Sequence, residues 1–260
     1  MDGWLPLLHG PRTPRLVGRP LLCLTDIAGD LAALESVLSA VRHHRLAGIV
    51  ACGNHVVGGA APFEVWTRLQ SLGAVLTCGP TDLGVAALDD LGEFTPRDPE
   101  AGARLDAFRR ARAALGDVVC RRLGELPTTA VVSLDDTRGV MVQHGSPADD
   151  DDVLVDDDRL VDRVGAVAED VLVTATGRPF ARRLSLPSII PIVDEDDPIG
   201  VAPPRALLVV GLGAVGTPPG AIAPRRRTAQ AVLVGAGDDG DIHAFAAEIA
   251  VTRQRSRRAV

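Results

Sequence analysis

Hydrophobic positions follow two rhythms along the first third of the chain. Leu21-Leu22-Cys23-Leu24 is a short continuous apolar run that stops at Thr25-Asp26. From Leu31 to His44 the apolar residues fall at helical intervals (Leu31, Leu34, Val37, Leu38, Val41), and Asp30 stands where a helix N-cap belongs. Ile49 to Cys52 repeats the short run, Pro62 to Leu72 repeats the helical spacing, and Ala74 to Cys78 is a third short run. Uninterrupted apolar strands joined by helical crossovers predict a parallel sheet covered on both faces.

The rhythm then changes. Glu93 to Leu126 is charged, arginine-rich and helical, with no strand signal, and reads as a helical excursion or cap on the sheet. Ala130 to Leu134 and Val140 to Gln143 flank Asp135-Asp136-Thr137-Arg138-Gly139, which has the chemistry of a hairpin turn. A helix is expected from about Asp158 to Glu169, followed by the apolar run Val171-Leu172-Val173. After Phe180 strands dominate: Ala206 to Val210, Ala231 to Val234 and Ile242 to Ala250. A parallel half followed by an antiparallel half predicts an α/β fold of four layers, an αββα sandwich in which two mixed sheets face each other with helices outside. The expected organisation is an arm over 1–19, one domain over 20–252, and a basic tail over 253–260.

Composition narrows the class. With 260 residues, 46% of them apolar, the chain can bury one sizeable core. A net charge of −7 gives no general attraction to nucleic acid. Every one of the 27 basic residues is arginine and tyrosine is absent, a bias without a functional message. Four cysteines, Cys23, Cys52, Cys78 and Cys120, do not form a disulfide framework; three of them end apolar runs, as small core residues in a reducing cytoplasm would. No apolar run is long enough for a membrane span, and Met1 to Pro20 lacks a signal-peptide core, so a cytoplasmic protein is expected.

Two patterns tempt. The acidic residues Asp149 to Asp152 and Asp156 to Asp158 lack the alternating ligands and turn glycine of a calcium loop, and read as a solvated loop. Gly211-Leu212-Gly213-Ala214-Val215-Gly216 fits a dinucleotide fingerprint after a strand, but Thr217-Pro218-Pro219-Gly220 cannot open the helix that must receive the pyrophosphate.

The strand ends carry the more specific signal. In order they read Asp26-Ile27-Ala28-Gly29-Asp30, Gly53-Asn54-His55-Val56-Val57-Gly58, Gly79-Pro80-Thr81-Asp82, His144-Gly145-Ser146-Pro147, Thr174-Ala175-Thr176-Gly177-Arg178-Pro179-Phe180, and Gly211 to Pro218. This succession resembles the calcineurin-like metallophosphoesterases, in particular their compact bacterial phosphodiesterase and diadenosine-tetraphosphatase-like branch. The resemblance implies blocks D-x-H-G-N, G-D-x-V-G, G-N-H-D, H-G-S-P, G-H-T-H-R-P-F and N-P-G-S-V-G-x-P, of which only H-G-S-P is intact here. The glycines of the last block are then better explained as a tight loop beside the site.

The resemblance also implies two ions about 4 Å apart, bridged by a carboxylate, which clamp a phosphate and acidify the attacking water. Of the seven ligand positions it assigns, Asp26 and His144 retain donors. The bridging position is Asn54, a neutral amide, and the other four are Ala28, Pro80, Ala175 and Gly177. Thr81 stands where the family places the histidine that assists the leaving group. Losing even an outer partner costs about 10–100-fold in metal affinity or activity, so no cofactor is expected. A single weakly held divalent metal using Asp26, His144 and His55 is left as the residual alternative. Cys52 and Cys78 lie near the ends of neighbouring strands, where a replacement ligand could stand, but they fit packing better, and strand alternation turns His55 away from the face used by Asn54. His9, His43, His44 and His243 match no motif.

Three functional expectations follow. The first is a catalytically degenerate protein, a pseudoenzyme, that binds a phosphate-containing or other small anionic ligand, or a protein partner. Its cleft would be formed by Asp26, Ala28, Asn54, Pro80, Thr81, His144, Ala175, Gly177 and Arg178. The second is a repurposed metal-independent enzyme with Asp26 and His144 as acid–base groups. The third is a weak mononuclear phosphoesterase. Self-association is compatible with all three, and neither nucleic acid nor membrane is an expected partner.

Overall fold

The structure is a computed structural model that describes residues 3–8, 14–88, 95–149, 152–186, 205–217, 219 and 227–251. The basic tail, residues 93–94 of the expected helical excursion, and Pro218 of the last motif lie outside the described residues.

Two mixed sheets face each other. In chain order, β1 (Leu5–Pro6), β2 (Leu21–Leu24), β3 (Gly48–Cys52), β4 (Val75–Thr77), β10 (Thr228–Ala236) and β11 (Ile242–Ala250) make the first sheet, with spatial order β1-β11-β10-β2-β3-β4. The second contains β5 (Thr129–Ser133), β6 (Gly139–Gln143), β7 (Val171–Gly177), β8 (Phe180–Leu186) and β9 (Arg205–Gly213), in the order β5-β6-β7-β9-β8. β2, β3 and β4 are parallel, as are β6, β7 and β9. The parallel and antiparallel halves of the chain do not correspond to separate sheets. β10 and β11 return to the first sheet and pair antiparallel beside β2.

The continuous apolar runs become intelligible through side-chain alternation. Leu22, Leu24, Ile49, Ala51 and Leu233 face a core shared with helices, whereas Leu21, Cys23, Val50, Cys52, Val232 and Val234 face the opposite sheet. In the second sheet Val171, Val173, Leu208 and Val210 point to that same inter-sheet core. Leu172, Leu207 and Val209 point outward, onto Leu160 and Val164 of a short helix. Each of these central strands is therefore apolar on both faces because each face has a layer to cover it. At about 1.5–3 kcal/mol for each fully buried Leu, Ile or Val, this burial is the main favourable term.

The helices on the first sheet are α1 (Leu31–Val41), α2 (Pro62–Ser71), α3 (Pro80–Ala86) and α4 (Pro99–Gly124); α5 (Leu160–Val164) covers the second. Asp30 caps α1 by accepting from the Ala33 N–H at 3.1 Å. Its other carboxylate oxygen pairs with Arg227. The arginine-rich stretch contains α4, which breaks at Gly116 (φ 72°) and packs on α3 and α2 through Ala107, Ala111, Leu115 and Leu123. The apolar pattern does not predict α3, whose Pro80 and Thr81 stand where the resemblance places a metal ligand and the histidine that assists the leaving group. Proline at its first position supplies helical φ without needing an N–H partner.

The carboxyl ends of β2, β3, β4, β6 and β7 converge at one end of the sandwich, where ligands gather in parallel sheets. The glycines of the false fingerprint close this end. Val215 and Gly216 donate to the carbonyls of Thr25 and Asp26 at 3.1 and 2.8 Å, and a Cβ on Gly216 would overlap the Ile27 carbonyl. Close approach to β2, rather than a pyrophosphate, requires glycine there.

Candidate functional site

Three loops form the site floor. After β2 the backbone turns through left-handed conformations at Asp26 (φ 48°) and Ala28 (φ 53°), and after β3 it does so at Asn54 (φ 58°). Non-glycine residues rarely occupy this region, at a cost of about 1–2 kcal/mol each. A ladder holds them there: Asp26, Ala28 and Gly29 donate to the carbonyls of Gly53, Asn54 and His55 at 3.3, 2.9 and 2.8 Å. Gly53 (φ 67°) allows the third loop to approach, since a Cβ would lie 2.6 Å from the Gly79 Cα and 3.0 Å from the His144 ring.

Asp82 fastens the third loop to the second. Fully buried, its carboxylate accepts from the backbone N–H of Asn54 (2.7 Å), His55 (2.9 Å) and Gly79 (3.2 Å). Asp82 closes the Gly79-Pro80-Thr81-Asp82 motif, and the resemblance assigns it no role. The signal was available: a carboxylate at the third position of a helix whose N-cap is glycine can reach back to the N-cap N–H.

Upon this floor the structure brings together four of the expected residues. The Asn54 Nδ2 donates to Asp26 Oδ1 at 2.8 Å and lies 2.8 Å from His144 Nε2. Its Oδ1 accepts from the Thr81 N–H at 3.0 Å and from the Thr81 hydroxyl at 2.8 Å. A backbone N–H can only donate, so Thr81 fixes which end of the amide is oxygen. The two Nδ2 hydrogens therefore go to Asp26 and His144, and Nε2 of His144 accepts. Asp26 Oδ1 and His144 Nε2 stand 3.8 Å apart with side chains 15% and 9% exposed, so the pair is largely shielded from water.

The remaining positions are distributed less tightly. Ala28 is buried beneath the first loop and Pro80 begins α3. Ala175 is buried on β7, one residue beyond the Thr174–Gln143 pairing and hence alongside His144. Gly177 and Arg178 are exposed, and the β7–β9 register shifts between Ala175 and Gly177. Arg178 lines a cavity of about 430 Å³ with Leu154, Val155, Asp156, Thr176, Pro179 and Phe180. Asp26, Asn54, Thr81 and His144 are not among the residues that line it.

The proposed replacement ligands are committed elsewhere. The His55 ring is fully buried and its Nε2 donates to the Thr77 carbonyl at 2.9 Å. Burial pushes the Cys52 thiol well above its ordinary value, with smaller contributions from Cys23 and Asp26, so it stays a thiol. The Cys78 thiol faces the Leu123 carbonyl at 3.5 Å. Among the described residues no group of three or more His, Cys, Asp or Glu side chains converges to hold a metal. A bridged ion pair does not fit the donor set either, because Asn54 directs N–H groups, not lone pairs, at Asp26 and His144.

Backbone groups at this end are also engaged. Besides the ladder, Asp30 N–H donates to the Ile27 carbonyl and Gly59 N–H to the Ala28 carbonyl. An anion meeting these loops would have to displace existing bonds, whereas the Arg178 guanidinium has no bonded partner among the described residues.

No protein-family model matches the chain, and no curated protein matches it. Solved structures do. A metallophosphoesterase from Sphaerobacter thermophilus is 19% identical with a TM-score of 0.62, covering 92% of this chain and 90% of its own. A hypothetical protein from Pyrococcus horikoshii OT3 is also 19% identical, with a TM-score of 0.64 and coverage of 91% and 90%. The chain has the metallophosphoesterase fold.

Proposed function

We propose that this metallophosphoesterase-fold chain is catalytically degenerate, and that it binds a phosphate-containing or other small anionic ligand, or a protein partner, without two-metal hydrolysis. The observation that carries the reading is the Asn54 carboxamide seated between Asp26 and His144, its N–H groups directed at both. Two-metal chemistry needs an anionic bridge to hold the ions and offset their repulsion. A neutral amide that donates hydrogen bonds supplies neither. Of the groups near this end, Arg178 beside its cavity is best suited to an anion, because a guanidinium offers a planar set of donors.

A second reading keeps Asp26 and His144 as an acid–base pair in a metal-independent enzyme. A carboxylate 3.8 Å from an imidazole favours it. Their low exposure and their shared amide partner weigh against it, since a substrate would have to displace Asn54 first. A weak mononuclear phosphoesterase is the remaining alternative and would need a third ligand.

The test is hydrolysis of bis(p-nitrophenyl) phosphate by purified protein, with manganese and with chelator, beside a thermal-shift screen of nucleotides and phosphorylated metabolites. No turnover in either buffer, with a shift from an anionic compound that Arg178→Ala abolishes, is the expected result. Manganese-dependent turnover would overturn the reading in favour of the mononuclear enzyme. Turnover unaffected by chelator and lost in Asp26→Ala would favour the acid–base enzyme.

A further inference from the structure

We propose that the Asn54 carboxamide takes the electrostatic place of a bound cation, and that this one side chain keeps the cluster from accepting a metal. Asp26 Oδ1 and His144 Nε2 are electron-rich atoms facing one another at 3.8 Å. Two such atoms at that distance need positive charge between them, from a proton or an ion. Here the partial charges of two amide hydrogens supply it, with Nδ2 at 2.8 Å from each acceptor.

The amide cannot turn over to serve a metal. Its oxygen is held by the Thr81 N–H and hydroxyl, and reversal would set NH₂ against N–H on that side and oxygen against Asp26 on the other. The backbone is clamped as well: the Asn54 N–H donates to Asp82 at 2.7 Å and its carbonyl accepts from Ala28 at 2.9 Å, at φ 58°. A cation entering between Asp26 and His144 would meet N–H groups first.

The same geometry defines what a minimal change would create. In Asn54→Asp an oxygen replaces Nδ2, and two carboxylates and an imidazole then converge on one point without any change of backbone. That donor set suits zinc or manganese. In the absence of metal the new carboxylate faces Asp26 at hydrogen-bonding distance and repels it. The variant should therefore be both less stable and responsive to metal.

This inference rests on the reading of the cluster as lacking a two-metal site, and one experiment separates it from the wider reading of the chain as non-hydrolytic. Thermal midpoints and calorimetric manganese titrations are compared for wild type, Asn54→Asp and Asn54→Ala, with chelator and with about 1 mM manganese. The wild-type midpoint should be insensitive to both additions. Asn54→Asp should melt lower in chelator and recover with manganese, binding it at least ~100-fold more tightly than wild type, the upper range of effects seen when a metal site loses a supporting partner. Asn54→Ala should melt lower and not recover. If Asn54→Asp folds only when expressed with manganese and retains about one ion per chain, the proposal is supported. If it fails to fold with manganese too, or folds without responding to metal, the proposal is overturned. Manganese stabilisation of the wild type also overturns it. Metal-independent phosphodiester hydrolysis by a metal-insensitive wild type would refute the degenerate reading and leave this one standing.

Discussion

Removing the Asp82 carboxylate tests whether the site floor is held as described. Asp82→Ala leaves the backbone N–H groups of Asn54, His55 and Gly79 without their acceptor in a region closed to water, since Asp82 and His55 are fully buried. An orphaned buried donor costs about 1–3 kcal/mol, so three set a ceiling of roughly 3–9 kcal/mol. The loops joined by Asp82 end short strands and can relax, which places the expected loss at about 4 kcal/mol. For a chain of this size that corresponds to a fall in Tm of roughly 8–16 °C. Asp82→Asn keeps the volume and one oxygen, which can still accept from Asn54 and Gly79, but its NH₂ would face the His55 N–H. A loss of about 2 kcal/mol is expected there. Urea melts followed by circular dichroism measure both. An Asp82→Ala protein within ~1 kcal/mol of wild type would refute the argument, because the three N–H groups would then have other partners.

Thr77→Val should be neutral or stabilising by about 1 kcal/mol in the same melts. The Thr77 hydroxyl is fully buried and has no hydrogen-bond partner among the described residues, and a methyl of similar shape removes that penalty. A loss above ~1 kcal/mol would show the hydroxyl to be bonded. At the exposed hairpin between β5 and β6, hydrogen bonds from Arg138, then from the Thr137 backbone, hold the Asp135 carboxyl below the usual carboxylate range. Its folded value is the depressed one, so its contribution is present above the unfolded value, about pH 3.9. That contribution disappears as pH falls through the lower folded value. Asp135→Asn should therefore lower stability at neutral pH and, having no such contribution left to lose, flatten the loss of stability below about pH 4. An unaltered acid limb would count against it.

Most of the architecture was legible in the apolar pattern. The runs at Leu21, Ile49 and Ala74, with helical spacing between them, correspond to β2, β3 and β4 and their crossovers, because strands and helices bury residues with different periods. The fate of β10 and β11 was not legible. Their pattern states that both faces are covered, without saying by which sheet, and only the pairing of Val232 with Cys23 decides it. α3 was missed because Gly79-Pro80-Thr81 reads locally as a turn, although proline in the first turn favours a helix.

Residue identity alone determined that Asp26 and His144 can donate lone pairs at the strand ends and that Asn54 is a neutral amide, since donors are a property of side-chain chemistry. Tertiary structure decided what that amide does. Its contacts join residues 26, 54, 81 and 144 from four strand ends, and the orientation of the amide depends on the Thr81 N–H. Sequence specifies which groups can donate and accept; the packing of distant loops determines which of them meet.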